Sequence, residues 1–232
     1  MQIVSVTPAG RGLVRVTFDK DFSFSDPAPH FETLPRYLRQ REDFAQKRDY
    51  IFLDSKAFSE LSRDGGEVSG ADLANWIQVC DRGRAREKAL VFLERRDYSR
   101  AALIKKLLEK GEASVSAAEN AAEKLEQTGL LDDERLARRL WEGFTKEKHF
   151  SVRAAKQRLT AAGISPEILE ALVEETENDG DSQNIKQLLE TKYCRLLYSE
   201  ENLPKIKQAL VRRGFSFADI NTALKEILDV DE

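Results

Sequence analysis

The sequence has few of the residues that metal sites, disulfide frameworks and most catalytic centres need. Its 232 residues include two cysteines, Cys80 and Cys194, and two histidines, His30 and His149. Neither cysteine belongs to a CxxC motif or lies near a pair of histidines, so neither a disulfide framework nor a zinc site is indicated. The GxSxG, GxxxxGKS/T and HExxH motifs are absent as well. We therefore expect a protein that is not an enzyme and that has no cofactor and no bound metal.

Long apolar segments are also missing. No run approaches the roughly 18 apolar residues of a membrane-spanning helix. The start of the chain has neither the basic nor the apolar region of a secretory signal. Unpaired cysteines persist in a reducing compartment. These observations predict a cytoplasmic protein with no membrane segment.

Glycine and proline are scarce, with 12 and 6 residues, whereas charged residues make up 34% of the chain, above the usual value of about 25%. This composition is typical of solvated helices and argues against an all-strand protein. The length of 232 residues favours several small units over one compact domain.

Charge is segregated along the chain. The 37 basic and 41 acidic residues give a net charge of −4, which argues against a protein whose whole surface binds nucleic acid. Residues 82–110 contain ten basic and four acidic residues, whereas residues 167–181 contain seven acidic residues and no basic one.

Alternating apolar residues predict short antiparallel strands in residues 1–24. Gly10 and Gly12 are typical of a hairpin turn, and residues 19–21 predict a second turn. Residues 25–54 are ambiguous, with a short charged helix at 37–48 as one interpretation. A helix is expected after Ser69, with four apolar residues on one face: Leu73, Trp76, Ile77 and Cys80.

Three later segments resemble one another. In each, a leucine stands four residues before a glycine that can end a helix in the left-handed conformation: Leu107 and Gly111, Leu159 and Gly163, Leu210 and Gly214. A serine follows each glycine and can cap the next helix: Ser114, Ser165 and Ser216. Asp132, after Gly129, is likewise expected to cap a helix rather than to bind a metal.

An apolar helix precedes each of these segments and a third helix follows it, which predicts three tandem three-helix repeats. We expect a mainly α protein in which these repeats form an elongated, curved array behind a small strand-containing segment. The predicted parts are 1–80, an N-terminal segment with short strands and a helix, followed by helical repeats at 81–131, 132–180 and 181–232.

Basic residues recur in the three segments and are candidates for an interaction surface. The candidate residues are Arg95, Arg96, Lys105, Lys106, Arg138, Arg139, Arg153, Lys156, Arg158, Lys205, Lys207, Arg212 and Arg213. The alternative is that they only solubilise helices or pair with acids such as those of residues 167–181. Three nearby aromatic residues are interpreted as packing at helix junctions rather than as stacking platforms for bases: Tyr98, Phe144 and Phe150.

The series of motifs resembles the RecX family of recombination regulators over residues 83–228. It consists of Asp97-Tyr98-Ser99-Arg100, then Leu103-x₃-Leu107 with Gly111, then Gly129-Leu130-Leu131-Asp132-Asp133-Glu134-Arg135-Leu136-Ala137, then Leu159-x₃-Gly163-Ile164, and Arg212-Arg213-Gly214-Phe215-Ser216. Ser151 and Ala155 depart from the family pattern, which has Gly and a larger aliphatic residue there. Residues 25–80 have no clear counterpart.

The resemblance implies a crescent of three-helix repeats that binds the filament of the RecA recombinase along its groove, with some affinity for DNA. It also implies restraint of the ATPase, strand-exchange and coprotease activities of RecA, in homologous recombination, DNA repair and the SOS response. We expect a monomer. The alternative function is a DNA-binding module whose helix-turn-helix-like repeats contact phosphate through their basic faces.

Overall fold

A computed structural model describes residues 1–10, 12–22, 48–55, 58–59, 67–175, 180–197 and 199–230. They form two compact units, Met1–Leu131 and Asp132–Glu232. The described residues are mainly helical with a small N-terminal antiparallel sheet, which confirms the predicted fold class. The finer division into four parts and the curved array stay predictions. The helix predicted at 37–48 lies, except for Arg48, outside the described residues.

The sheet of the first unit has the strand order β1-β2-β3 and is antiparallel throughout. Its strands are β1 (Ile3–Gly10), β2 (Leu13–Phe22) and β3 (Arg48–Asp54). The predicted hairpin is confirmed, because Gly10 and Gly12 have positive φ angles of 76° and 74°, a region that glycine enters at little cost.

Two details of the sheet prediction are wrong. The turn expected at residues 19–21 lies inside β2, where the amide of Asp19 donates to the carbonyl of Gln2 (3.0 Å) and the amide of Gln2 donates to Asp19 Oδ1 (2.7 Å). Strand β3 supplies the third strand, although residues 25–54 carried no clear strand signal. Its pairing partners, such as Arg15 for Phe52, lie far away in sequence.

Helix α1 (Gly70–Leu93) covers one face of the sheet. Ser69 caps it in a capping box with Asp72, and the hydrogen bonds from Ser69 lower the pKa of the Asp72 carboxyl. The first half of α1 closes a core of strand and helix residues: Val16, Phe18, Ile51, Leu53, Leu73, Ile77 and Cys80. This confirms the predicted apolar face. The helix is continuous across residue 80, where a boundary is predicted.

The second half of α1 packs with α2 (Arg100–Glu109) and α3 (Val115–Gln127), and these three elements are called the first triplet. Its core is rich in small residues, including Ala85, Ala89 and Ala118, beside Leu103 and Leu107. Small side chains let the helices approach closely.

The second unit contains two further helix groups. The second triplet comprises α4 (Asp133–Glu142), α5 (Val152–Ala161) and α6 (Pro166–Glu174), with a π-helical turn at Gly143–Glu147. The third triplet has three longer helices, α7 (Gly180–Thr191), α9 (Leu203–Arg212) and α10 (Phe217–Val230). A short helix α8 (Cys194–Leu197) and a 3₁₀ turn (Glu200–Asn202) connect α7 to α9. Each group has its own buried core, centred on Leu159 and Leu169 in the second triplet and on Ile206 and Leu210 in the third.

The predicted helix ends are confirmed with one exception. Four glycines have positive φ angles between 65° and 96°: Gly111, Gly129, Gly163 and Gly214. The hydroxyl oxygens of Ser114 and Ser216 and the carboxylate of Asp132 accept hydrogen bonds from backbone amides of the helices that follow them. Ser165 stands at the N-cap of α6, but its side chain caps no amide. It hydrogen-bonds instead to the Glu167 carboxyl, which lowers the pKa of that group.

Candidate partner-binding surface

The candidate basic residues of the first unit are exposed or half-buried and lie near the ends of α1 and α2. Arg95 and Arg96 follow the last turn of α1, and the guanidinium of Arg96 lies 4.2 Å from the centre of the Tyr98 ring. Lys105 lies 3.9 Å from Glu109 across one turn of α2, and Lys106 is next to it. Both contacts leave the cations at the surface, where such pairs are weak.

The basic residues of α2, α5 and α9 do not share one helix face. Counted back from Gly111, Gly163 and Gly214, Lys106 and Arg158 occupy one equivalent position, and Lys156 and Lys207 occupy another. Arg213, directly after α9, matches Lys110, and the remaining candidates on these helices have no basic counterpart at the same position. At 100° per residue, the cations therefore surround the solvent side of the helices rather than lining a single stripe.

Arg138 on α4 forms a bidentate ion pair with Glu175. The Arg138 Nη1 and Nη2 atoms lie 2.8 Å and 3.0 Å from the two carboxylate oxygens. The hydrogen bond and charge of Glu175 raise the pKa of Arg138. This contact follows the alternative interpretation that some candidates pair with acids of residues 167–181. Arg139 lies beside Arg138 and is exposed.

The ion pair stands at the edge of a cleft in the second unit. The cleft has a volume of about 520 Å³ and is lined by Trp141 and Leu172 together with polar side chains such as Gln183 and Asn184. The π-helical turn Gly143–Glu147 forms part of its wall. Its lining pairs the cations Arg138 and Lys146 with acids on the same wall.

Aromatic and guanidinium groups stack beside the start of α5. The Phe150 ring centre lies 4.0 Å from the guanidinium carbon of Arg158 and 5.7 Å from that of Arg213. The Phe144 ring meets Phe150 edge-on, with centres 6.1 Å apart. Tyr98 likewise packs against the first-triplet core. These contacts confirm that the three aromatic residues pack at helix junctions.

Two arginines of this region donate to backbone carbonyl oxygens. Arg213 Nη1 donates to the carbonyl of Lys148, and Arg153 Nη2 donates to the carbonyl of Gly214 at 3.1 Å. Three candidate residues of the second unit, namely Arg153, Arg158 and Arg213, are thus engaged by their own chain.

Other candidates of the second unit remain open to solvent. Lys156, Lys205 and Arg212 are exposed and Lys207 is half-buried. Their charged groups make no hydrogen bond or ion pair with any residue that the structure describes. They are therefore the cations of this unit best placed to meet an acidic group from outside.

Two acidic residues have structural roles that were not predicted from the sequence. Asp81 on α1 is only 4% exposed and accepts the amide of Ser114 at the start of α3. Asp181 on α7 accepts the amide of Val152 at the start of α5 (2.8 Å). Burial raises the pKa of both carboxyls. The partner of each acid lies about 30 residues away in sequence, so no local pattern marked them.

Within the described ranges, no cluster of His, Cys, Asp and Glu has an arrangement that could hold a metal ion. None of the helices in the same ranges has the length and apolar character to cross a membrane.

Comparison with known proteins finds similarity to RecX proteins in both sequence and structure. No family model matches the chain. The chain is 33% identical over 131 residues to the regulatory protein RecX of Trichlorobacter lovleyi, a match that covers 55% of this chain and 84% of that protein. A crystal structure of a regulatory protein RecX has a TM-score of 0.58 at 15% identity, covering 100% of this chain and 99% of the other. RecX from Lactobacillus salivarius has a TM-score of 0.53 at 24% identity, covering 65% and 97%. The two structures establish similarity of fold.

Proposed function

Because this chain belongs to the RecX family of regulatory proteins, we propose that it binds the RecA filament along its groove and restrains the ATPase, strand-exchange and coprotease activities of RecA. The observation that carries this proposal is the 33% identity to a regulatory protein RecX over 84% of that protein's length. The proposed role is regulation without catalysis of its own.

The distribution of these surface cations supports binding to an extended partner. Lys105 and Lys106 in the first unit and Lys156, Lys207 and Arg212 in the second unit lie on three different helices. Each surface contact contributes only about 0.2–1 kcal/mol. Contacts that are linked through one chain act together by effective concentration, so a filament with repeated acidic groups is a suitable partner for them.

Three mechanisms are compatible with such binding. The protein can cap a growing filament, alter the spacing of RecA protomers, or cover the groove where duplex DNA enters. Capping shortens the filament and therefore lowers DNA-dependent ATP hydrolysis by RecA, whereas a covered groove acts first on strand exchange. The ATPase rate is the first quantity to measure. We expect the purified protein to hydrolyse neither ATP nor DNA while it lowers the ATPase rate of its cognate RecA. Turnover by the protein alone that survives repurification contradicts the proposal.

A binding titration separates this function from direct DNA binding. The fluorescently labelled protein is titrated with naked DNA, with RecA alone and with RecA–DNA filaments, each at several salt concentrations. Preference for the filament supports the proposal. Binding to naked DNA with a steep salt dependence and no gain from RecA supports the phosphate-binding alternative.

A further inference from the structure

Residues 148–154, which lead into α5 in the second triplet, are held by side chains and backbone of the third triplet. The amide of Ser151 donates to the carbonyl of Arg213 (3.0 Å), and the amide of Val152 donates to Asp181 Oδ1 (2.8 Å). Asn184 Nδ2 lies 3.5 Å from the carbonyl oxygen of Phe150. Backbone groups of one triplet are thus satisfied by the other.

The two arginine contacts run in both directions across this junction. Arg213 of the third triplet donates to the carbonyl of Lys148, while Arg153 of the second triplet donates to the carbonyl of Gly214. Such reciprocal hydrogen bonds restrict sliding as well as separation, because separation lengthens both and sliding lengthens at least one of them.

Close packing accompanies the hydrogen bonds. A Cβ atom at position 214 would lie 2.5 Å from the Cβ atom of Ala154, so the backbone at Gly214 approaches α5 more closely than any other residue type allows. Ser151 is fully buried at this contact, and its hydroxyl caps the amide of Ala154 at 3.1 Å.

The Phe150 ring completes the junction. Arg158 from α5 and Arg213 from the end of α9 both stack on it, so one uncharged side chain positions two guanidiniums from different triplets. Stacking fixes the plane of both guanidiniums, and the Lys148 carbonyl also takes up Nη1 of Arg213, so these two cations are less free than an unattached lysine to turn toward a partner's acidic group.

We infer that Arg153, Arg158 and Arg213 are positioning residues that lock the third triplet onto residues 148–154, and that partner contact in the second unit is left to Lys156, Lys205, Lys207 and Arg212. The part about partner contact rests on the proposed function. The part about the junction does not, and it is tested on the protein alone.

The junction is tested by measuring the distance between the two triplets. Spin labels are placed at Glu170→Cys on α6 and Gln208→Cys on α9, both exposed positions, in a Cys194→Ser background. Cys80 is only 2% exposed, which protects it from labelling. Distances are measured by double electron–electron resonance in the otherwise native chain, in Phe150→Leu, in Arg213→Gln and in the control Arg212→Gln.

We expect one narrow distance distribution for the native junction and for Arg212→Gln, and a broadened or shifted distribution for Phe150→Leu and Arg213→Gln. Arg213→Lys keeps the charge but not the planar group, so it should not restore the native distribution. Circular dichroism checks folding, and Arg158→Gln replaces any variant that unfolds. Native distributions in the folded junction variants overturn the inference.

The same variants are then titrated with RecA–DNA filaments at several salt concentrations. The junction holds the cations of α9 in place relative to Lys156 on α5, so loosening it should weaken their joint binding. Phe150→Leu loosens the junction without removing a charge, and we therefore expect several-fold weaker binding with an unchanged salt dependence. Lys156→Gln with Arg212→Gln should weaken binding and also reduce its salt dependence. Native affinity of Phe150→Leu would overturn the link between the junction and binding. Failure of the unsubstituted protein to bind filaments would overturn the proposed function but leave the distance result standing.

Discussion

Gly214 stands so close to Ser151 that a Cβ atom at position 214 would lie 2.5 Å from the Ser151 hydroxyl oxygen. The backbone at Gly214 also has a φ angle of +96°. Two separate costs therefore oppose any side chain at this position. Gly129 differs, because its φ angle is +69° but a Cβ atom there would reach open space, with no surrounding heavy atom within 4 Å.

We predict that Gly214→Ala lowers the free energy of unfolding by more than about 2 kcal/mol, because it adds overpacking to conformational strain. Gly129→Ala carries the strain alone and should cost about 1 kcal/mol. Chemical denaturation of both variants measures the difference. Equal losses would show that the close approach at Gly214 is relieved at no cost.

The serine N-caps provide a second test. Ser151→Ala removes a hydroxyl that accepts the amide of Ala154 in a fully buried setting, and we expect a loss of about 1 kcal/mol of unfolding free energy. Ser165→Ala is the matched control, because its side chain caps no amide, and its effect should be within about 0.5 kcal/mol. A larger loss at Ser165 than at Ser151 would contradict the observed capping pattern.

The buried carboxyl of Asp81 should make stability depend on pH. Burial raises the pKa of Asp81 above its ordinary value of 3.8, against hydrogen bonds from Ser114 and the charges of Arg84 and Arg82. The folded state then binds more protons than the unfolded state between the ordinary and the raised pKa. Stability from this group is present below that window and is lost as pH rises through it.

Asp81→Asn removes this titration. The unfolding free energy of the natural protein minus that of the variant should therefore fall as pH rises through the window, and stay constant above it. Urea denaturation of both proteins from about pH 3 to about pH 7 gives this difference. A difference that rises with pH would mean that the hydrogen bonds from Ser114 outweigh burial and lower the pKa.

Charge reversal tests the candidate lysines at the surface. Lys105→Glu with Lys106→Glu, and Lys156→Glu with Lys207→Glu, should each weaken filament binding several-fold, because each variant removes two attractive contacts and adds two repulsive ones. Lys192→Glu with Lys225→Glu changes the net charge equally at exposed sites outside the candidate set, and should leave affinity within about two-fold. Native affinity in both test variants would show that these lysines do not contact the filament, and the N-terminal sheet would become the candidate surface.

Local chemistry made much of the helical fold predictable. Ser69 and Asp72 are three positions apart and form their capping box without help from the rest of the chain, and Gly163 ends α5 for reasons contained in its own turn. Strand β3 was not predicted because its formation depends on pairing with β2, as between Val16 and Ile51, which are 35 positions apart.

The candidate surface was only partly predictable for the same reason. The sequence marks Arg213 as a cation, but its role depends on the ring of Phe150 and the carbonyl of Lys148, more than 60 positions earlier. An arginine that binds a partner and one that fastens its own backbone have the same local pattern. Only the fold distinguishes them.

Helix α1 gives the first unit a mechanical property. Its 24 residues form a rod about 36 Å long at 1.5 Å per residue, with Ile77 in the core under the sheet and Ala89 in the core of the first triplet. The helix is continuous between the two cores, so a sharp bend of one core against the other would have to break helical hydrogen bonds. A movement of the sheet is therefore transmitted to the first triplet through one rigid helix. A fragment that began at residue 81 would lose the Ser69 cap and half of the rod.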